Sequence, residues 1–136
     1  MNISTILFDA GDILYSKPRR KYNISKFLTD RGYSPPKVKD PVERAMRLKA
    51  HAGKIGVTEF MEWLMEHYGV SDLQTIEDGV AMLKSQQNDV TFFDGVGSTL
   101  HELKRRGFKL GVVTNTFNPP SEKNIWFKTI GIDGIW

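Results

Sequence analysis

The chain has 136 residues, of which 40% are hydrophobic, enough for one modest domain or for a small core with an insertion. It contains no cysteine, which excludes disulfides, thiolate metal sites and thiol nucleophiles. The formal net charge is +3, and acidic residues are interspersed with the basic clusters Lys17–Lys21 and Lys104–Arg106. We interpret these clusters as solvated helix surfaces and expect no nucleic-acid binding.

The N-terminal residues do not have the pattern of a signal peptide, in which a basic region precedes an apolar run and a small-residue cleavage site. No apolar stretch approaches the roughly 20 residues that a membrane span requires. We therefore expect no signal peptide, no membrane partner and a cytoplasmic location.

The first predicted element is a short buried strand over Ile3–Phe8, which leads into the acidic, glycine-bearing turn Asp9–Leu14. Ligands of open parallel α/β sheets bind beyond the carboxyl ends of the strands. An aspartate at that position is a candidate nucleophile or metal ligand. The alternative is that Asp9 only forms the turn at the strand end.

Helical patterns fill the next region, from Tyr15 to about Asp89. The predicted helices are Arg20–Arg31 closed by Gly32, Pro41–His51, a helix with N-cap Thr58 and stop Gly69, and one that begins at Ser71 and Asp72 and ends near Gln86.

The hydrophobic period changes again in the last region, from Val90 to Trp136. The predicted elements are a helix over Val96–Arg106, a strand over Phe108–Thr114, a loop over Asn115–Pro120, a helix over Ser121–Ile130 and a further strand at Gly134–Trp136. The apolar run at the end of the Phe108–Thr114 strand is typical of a strand covered on both faces. Crossover connections of this kind predict parallel strands, with the helical block inserted after the first strand as a lid.

Polar residues end both predicted core strands: Asp9 follows the first, and Thr114 and Asn115 end the second. If the two strands are neighbours, both clusters face one crevice. A carboxylate nucleophile beside a hydroxyl and free backbone amides is suited to phosphoryl transfer, with a divalent cation offsetting the charge.

These motifs resemble the haloacid dehalogenase-like (HAD) superfamily, in the branch with a helical cap between the first two core motifs. Asp9–Leu14 matches the family pattern D-x-D-G-[TV]-L, and Gly111–Asn115 matches the second motif, an apolar strand that ends in Thr or Ser. Phe93–Phe108 is similar to the return from cap to core.

The resemblance implies an α/β fold: a partial Rossmann-like parallel three-layer core with an inserted α-helical cap. Residues 1–14 and 90–136 would form the incomplete core, and residues 15–89 the cap. The implied activity is Mg²⁺-dependent hydrolysis of a small phosphorylated metabolite through an aspartyl phosphate.

Site residues are also implied by the resemblance. Asp9 would be the nucleophile, and Thr114 with the Asn115 backbone N–H would bind the phosphoryl group. Mg²⁺ would be held by Asp9 and the Gly11 carbonyl. Gly11 and Asp12 would complete the substrate-binding loop, although Asp12 is interpreted first as a turn-stabilising residue.

Two departures from the family pattern leave an alternative open. Gly11 replaces the second Asp, which in the phosphatases protonates the leaving group. The third-motif Lys and the fourth, acidic motif are expected beyond Trp136, so that the chain would be C-terminally truncated with a sheet edge exposed. The alternative is an inactive remnant that acts as a binding module or forms a homo-oligomer through that edge.

Three basic residues follow the first motif, Arg19, Arg20 and Lys21. They can contact an anionic substrate near the expected cap hinge, or they can simply begin a solvated helix. The sequence leaves both interpretations open.

Overall fold

The computed structural model describes residues 3–136, which form four short strands and six α-helices. In chain order the elements are β1 (Thr5–Phe8), β2 (Tyr15–Ser16), α1 (Arg20–Thr29), α2 (Pro41–His51), α3 (Val57–His67), α4 (Leu73–Ser85), β3 (Thr91–Phe92), α5 (Val96–Arg105), β4 (Lys109–Val112) and α6 (Pro120–Lys128). No helix in this part of the chain combines the length and apolar character of a membrane span.

The chain divides into two structural units. The α/β unit consists of Met1–Lys17 and Val90–Trp136, and the helical unit consists of Pro18–Asp89. The sequence assigns residues 15–89 to the helical block, whereas residues 15–17 belong to the α/β unit, because Tyr15 and Ser16 form β2.

Strands β1 and β4 are adjacent and parallel, as the order of elements predicts. Phe8 is paired with Val112, and the Val113 N–H donates to the Phe8 carbonyl at 2.9 Å. Both strands are shorter than predicted. The residues that follow β1 and β4 therefore leave the sheet on the same side, beyond the carboxyl ends of the two strands.

One face of this strand pair is exposed. Leu110 is 6% exposed, but Leu7 and Val113, on the opposite face, are 65% and 63% exposed. Side chains alternate between faces along a strand, and no element of the described α/β unit covers the second face. The prediction that the β4 run is covered on both faces is therefore wrong for Val113.

A second, antiparallel pair joins β2 to β3 and pairs Tyr15 with Phe92. The sequence did not predict it, since two-residue strands are too short to show a period. Tyr15 is buried, and its ring contacts those of Phe92 and Trp126 edge-on, each with a centroid distance of 5.6 Å. This ribbon joins the turn after β1 to the aromatic core of the α/β unit.

Helix ends follow the local sequence signals in most places. Pro41 begins α2, and Gly69 takes the left-handed conformation (φ 88°) that ends α3. The prediction of Thr58 as an N-cap is wrong, because Gly56 is the cap and Thr58 lies within α3. The Glu59 carboxylate accepts from the Gly56 N–H at 3.3 Å, as a first-turn acid does in a capping box.

The helical unit has its own apolar core, in which α3 packs on α4. Phe60, Leu64 and Met65 are each at most 1% exposed. Gly79 of α4 lies directly against Met65, since a Cβ built on it would be 2.3 Å from the Met65 sulfur. The absence of a side chain at Gly79 allows the two helices to approach this closely.

The last residues of the chain form no strand in the described structure, in contrast to the strand predicted at Gly134–Trp136. Ile132 and Ile135 are buried, and the Trp136 ring packs against Phe127 and Phe8. The segment is therefore held by its side chains and not by a backbone ladder.

Candidate active site

The edge beyond the carboxyl ends of β1 and β4 brings together the two predicted clusters. Asp9 directly follows β1, while Val113 separates Thr114 from the end of β4. Because the two strands are parallel neighbours, Asp9, Thr114 and Asn115 lie at one edge of the sheet. Thr114 itself lies outside the strand, two residues after its last paired position.

The turn after β1 is fixed by hydrogen bonds to the backbone. Ala10 is fully buried, and its carbonyl accepts from the Leu14 N–H at 2.9 Å and from the Tyr15 N–H at 3.4 Å. The Asp12 N–H donates to the Tyr15 carbonyl at 2.8 Å. Asp12 has a φ of 61°, a left-handed conformation that Asp tolerates better than most residues. This anchoring leaves Asp9 exposed at the sheet edge.

The polar groups at this edge are not engaged by the rest of the described chain. Within residues 3–136, no hydrogen bond is made by the side chains of Asp9, Thr114 and Asn115, nor by the Gly11 carbonyl. Thr114 is half-buried, while Asp9 and Asn115 are exposed. The predicted site residues Asp9, Gly11, Asp12, Thr114 and Asn115 thus follow two adjacent strands.

Two further residues, Tyr15 and Lys123, lie near Asp9. The Lys123 ammonium donates to the Tyr15 hydroxyl at 2.8 Å, and Lys123 is only 6% exposed. The Lys123 nitrogen also lies 5.3 Å from the centroid of the Trp126 ring, a cation–π distance.

Asp9 acts electrostatically on both residues of this pair. Burial raises the pKa of the Tyr15 hydroxyl, and the charge of Asp9 raises it further. Burial lowers the pKa of the Lys123 ammonium, and the charge of Asp9 partly opposes that shift. The candidate site therefore includes a buried cation and a phenol within electrostatic range of the strand-end carboxylate.

Neither Tyr15 nor Lys123 was predicted from the sequence as a site residue, although Lys123 leaves a signal. Lys123 precedes the buried residues Trp126 and Phe127 by three and four positions, so it lies on the apolar face of α6. A lysine on such a face is rarely buried unless a partner group interacts with its charge. Tyr15 gave no comparable signal.

The loop after β4 is ordered by side-chain contacts. The buried Asn118 donates from its amide nitrogen to a Glu122 carboxylate oxygen at 2.7 Å, and its backbone N–H donates to the Thr116 hydroxyl at 3.0 Å. These contacts tie the loop to the first turn of α6, which also carries Lys123. The loop that follows Thr114 and Asn115 is therefore fixed near its C-terminal end.

The candidate site offers a divalent cation only part of a ligand set. The described residues contain no group of three or more His, Asp or Glu side chains able to hold a metal. The Asp9 carboxylate and the Gly11 carbonyl are hard oxygen donors, the type that Mg²⁺ prefers, and Mg²⁺ commonly keeps several waters. The two predicted ligands therefore fit Mg²⁺ by donor type.

The fold and the site define an α/β protein with a carboxylate and a hydroxyl beyond the ends of adjacent parallel strands. A family model described as haloacid dehalogenase-like hydrolase matches residues 39–132, more than half of the chain. The chain belongs to this family, which confirms the resemblance. Thr114 and Asn115 lie within the matched residues, while Asp9 precedes them.

A solved structure supports the fold. It is the crystal structure of a predicted phosphoglycolate phosphatase from Haemophilus somnus 129PT, which is 18% identical, has a TM-score of 0.59 and matches 98% of this chain. The chain spans 60% of the length of that protein. The likeness confirms the α/β fold class with its parallel sheet. No curated protein sequence matches the chain.

Proposed function

We propose that the chain hydrolyses a small phosphate monoester through a phosphorylated Asp9. The observation that carries the proposal is the placement of Asp9 and Thr114 beyond the ends of adjacent parallel strands, with both side chains free of internal hydrogen bonds. Membership of the hydrolase family and the fold of the phosphatase structure support it.

In the first proposed step, a carboxylate oxygen of Asp9 attacks phosphorus. The bond from phosphorus to the ester oxygen breaks, and the alcohol leaves with the electron pair. Thr114 donates its hydroxyl hydrogen to a non-bridging phosphoryl oxygen, and the Asn115 N–H is a second donor. Position 11 carries no acid, so the leaving oxygen takes its proton from water.

In the second step, water attacks the phosphorus of the acyl phosphate. The bond between phosphorus and the Asp9 oxygen breaks, inorganic phosphate leaves, and the Asp9 carboxylate is regenerated. Gly11 offers no base, so the proton of the attacking water passes to solvent or stays on the departing phosphate. This predicts slow turnover, because a positioned general acid or base contributes about 10²–10⁴-fold in rate.

Tyr15 and Lys123 are proposed to stabilise the negative charge that gathers at Asp9. The Tyr15 hydroxyl accepts a hydrogen bond from Lys123, which leaves its own hydrogen free to donate. Because its pKa is raised, Tyr15 keeps that hydrogen at neutral pH and acts as a donor and not as a base.

Asp9 and the Gly11 carbonyl would hold Mg²⁺, and the cation would offset the charge of the phosphoryl oxygens. We also propose that the helical unit acts as a cap that selects the substrate. Its insertion between Lys17 and Val90, and so between the two site motifs, supports that role.

Hydrolysis of 4-nitrophenyl phosphate tests the proposal, since nitrophenolate is a leaving group that needs no general acid. We expect turnover that depends on Mg²⁺ and is abolished by Asp9→Asn. Asp133→Asn, which alters an exposed aspartate of the same unit, is the control and should retain activity. Unchanged turnover in Asp9→Asn, or folded wild-type protein without turnover, would contradict the proposal.

A further inference from the structure

The helical unit contains a cavity of about 870 Å³ that the proposed hydrolysis does not use. It lies among α1, the segment before α2, and the helices α2, α3 and α4. Small-molecule sites commonly have volumes of about 300–1,000 Å³. The cavity is therefore large enough for one metabolite-sized ligand.

Basic side chains dominate the lining of this cavity. Its six cations are Arg20, Lys21, Lys37, Lys39, Arg44 and Arg47, and its two carboxylates are Asp40 and Glu43. A concave surface with an excess of one charge concentrates its field in the cavity. The lining therefore favours an anion.

Both carboxylates of the cavity are already engaged by neighbouring groups. Asp40 caps α2 by accepting from the Glu43 N–H at 3.0 Å, and it lies 2.7 Å from Nε2 of His67. Glu43 accepts from the Tyr68 hydroxyl at 2.8 Å and pairs with Arg47. These contacts leave little carboxylate capacity to neutralise the remaining cations.

Two of the guanidinium groups lack full compensation. Arg20 lines the cavity, is exposed to solvent and makes no ion pair within the described chain. Partial loss of hydration at the guanidinium group, together with the positive charge of Arg47, lowers the pKa of Arg20 to about 10. Nη1 of Arg47 is buried with no hydrogen-bond partner among the described residues. An oxyanion would supply the acceptor that both groups lack.

Part of the cavity wall is apolar. Ile24, Leu64 and Leu83 line it and are buried, and Tyr68 adds the side of its ring. A ligand with a short carbon body would contact this wall while its charged end met the guanidinium groups. Mixed lining of this kind is typical of small-molecule sites.

From this combination we propose that the cavity binds a small organic anion, with Arg20, Arg44 and Arg47 holding its phosphate or carboxylate oxygens. Guanidinium groups suit both, because their paired N–H donors match the spacing of carboxylate and phosphate oxygens. The site lies wholly within the helical unit and does not depend on the reaction proposed at Asp9.

Isothermal titration of the full chain with inorganic phosphate and with citrate tests the proposal, and glycerol serves as the uncharged probe. We expect saturable binding of at least one anion and none of glycerol. Stronger binding of one anion assigns the site to a phosphate or to a carboxylate ligand. Binding should weaken about tenfold in Arg20→Gln and in Arg44→Gln, since each loses charge-assisted hydrogen bonds.

Two control variants and one exposed test variant make the result specific. Lys49→Gln removes a positive charge from α2 outside the cavity and should bind the anion as the wild type does. Thr114→Val removes the hydroxyl proposed to hold phosphate at the sheet edge, and cavity binding should survive it. Arg44 is exposed, so Arg44→Gln is expected to fold even if a more buried substitution is not tolerated. No saturable binding at millimolar anion, or equal weakening in Lys49→Gln, would overturn the proposal.

Discussion

Gly11 is the residue at which the chain departs most clearly from the family pattern. A Cβ built on Gly11 meets no atom within 4 Å, and its φ does not lie in the left-handed region. Neither sterics nor backbone strain therefore requires glycine at this position. The fold should therefore tolerate an aspartate in place of Gly11.

Gly11→Asp should restore a general acid and base beside Asp9. We expect hydrolysis of an alkyl phosphate, whose leaving group needs a proton, to rise by about 10²–10⁴-fold. Initial rates of phosphate release measure the change. Gly134→Asp introduces the same charge at another open glycine of the α/β unit and should have no effect. A Gly11→Asp variant that folds but gains no activity would refute the assigned role of this position.

Tyr15 should make the stability of the protein sensitive to alkaline pH. Its pKa is raised above 10.0 in the folded state, by burial first and by Asp9 second. The folded protein keeps a proton that the unfolded chain releases near pH 10, so this contribution is complete below pH 10 and is lost as pH rises through the folded pKa. The pKa of Lys123 is lowered instead. Its contribution to the free energy of unfolding therefore increases as the pH rises towards 10.5, and it is constant above that pH.

Tyr15→Phe is therefore expected to reduce the fall in the free energy of unfolding above pH 10.5. Urea unfolding at a series of alkaline pH values measures that slope. The pKa of Tyr68 is raised by the same kind of burial, so part of the slope should remain. Equal slopes in wild type and Tyr15→Phe would contradict the buried, proton-retaining phenol.

Among the elements, the α3–α4 pair depends on Gly79. The Cβ of Gly79→Ala would lie 2.3 Å from the Met65 sulfur and 3.3 Å from the Phe27 ring. Met65 is fully buried and cannot turn out to solvent. Overpacking of this kind costs about 1–3 kcal/mol, which exceeds the gain of roughly 1 kcal/mol in helix propensity.

We expect Gly79→Ala to lower the free energy of unfolding for this reason. Gly97→Ala in α5 is the matched control, because its Cβ would meet the Ile130 carbonyl at an ordinary 3.4 Å. It should stabilise the protein by up to about 1 kcal/mol. Denaturant unfolding of both variants gives the comparison, and stabilisation by Gly79→Ala would show that the helices have room to move apart.

The elements also show what the sequence could predict. Pro41 and the glycines after α1, α3, α5 and α6 marked helix ends correctly, because their backbone preferences act locally. Thr58 failed as a cap because α3 begins one residue earlier, at Val57, with Gly56 as its N-cap. The β2–β3 ribbon was missed because its pairing joins residues far apart in sequence.

The candidate site, like the helices and strands, was predictable only where local sequence determines it. Asp9 and Thr114 follow apolar runs, and strand order alone brings the two ends together. Lys123 reaches the site only because α6 packs beside β2 and places its ammonium group on the Tyr15 hydroxyl. That contact depends on tertiary packing and cannot be read from the local sequence. The sequence therefore predicts the groups at strand ends and misses those that packing delivers from elsewhere.

At the scale of the whole molecule, the uncovered sheet face has a consequence in solution. Leu7 and Val113 expose apolar surface on one face, and the second edge of β1 carries no ladder within residues 3–136. Exposed strand edges beside apolar surface promote pairing between chains. We expect the chain to self-associate as its concentration rises.

Sedimentation velocity over a range of concentrations tests this expectation. Leu7→Lys places a charge on the exposed face and should shift the distribution towards monomer. Leu48→Lys, at an exposed leucine of α2, should not. A wild-type protein that remains monomeric at every concentration would show that this face and edge do not associate.

Chemical trapping shows directly whether Asp9 becomes phosphorylated during turnover. Borohydride reduces an acyl phosphate to an alcohol, so protein quenched during hydrolysis of an aryl phosphate and then reduced should carry homoserine at position 9. Peptide mass spectrometry locates the change, with Asp9→Asn as the blank. Trapping at Asp9 is the predicted result. Turnover with modification at another carboxylate, such as Asp12 or Asp94, would contradict the phosphorylation of Asp9.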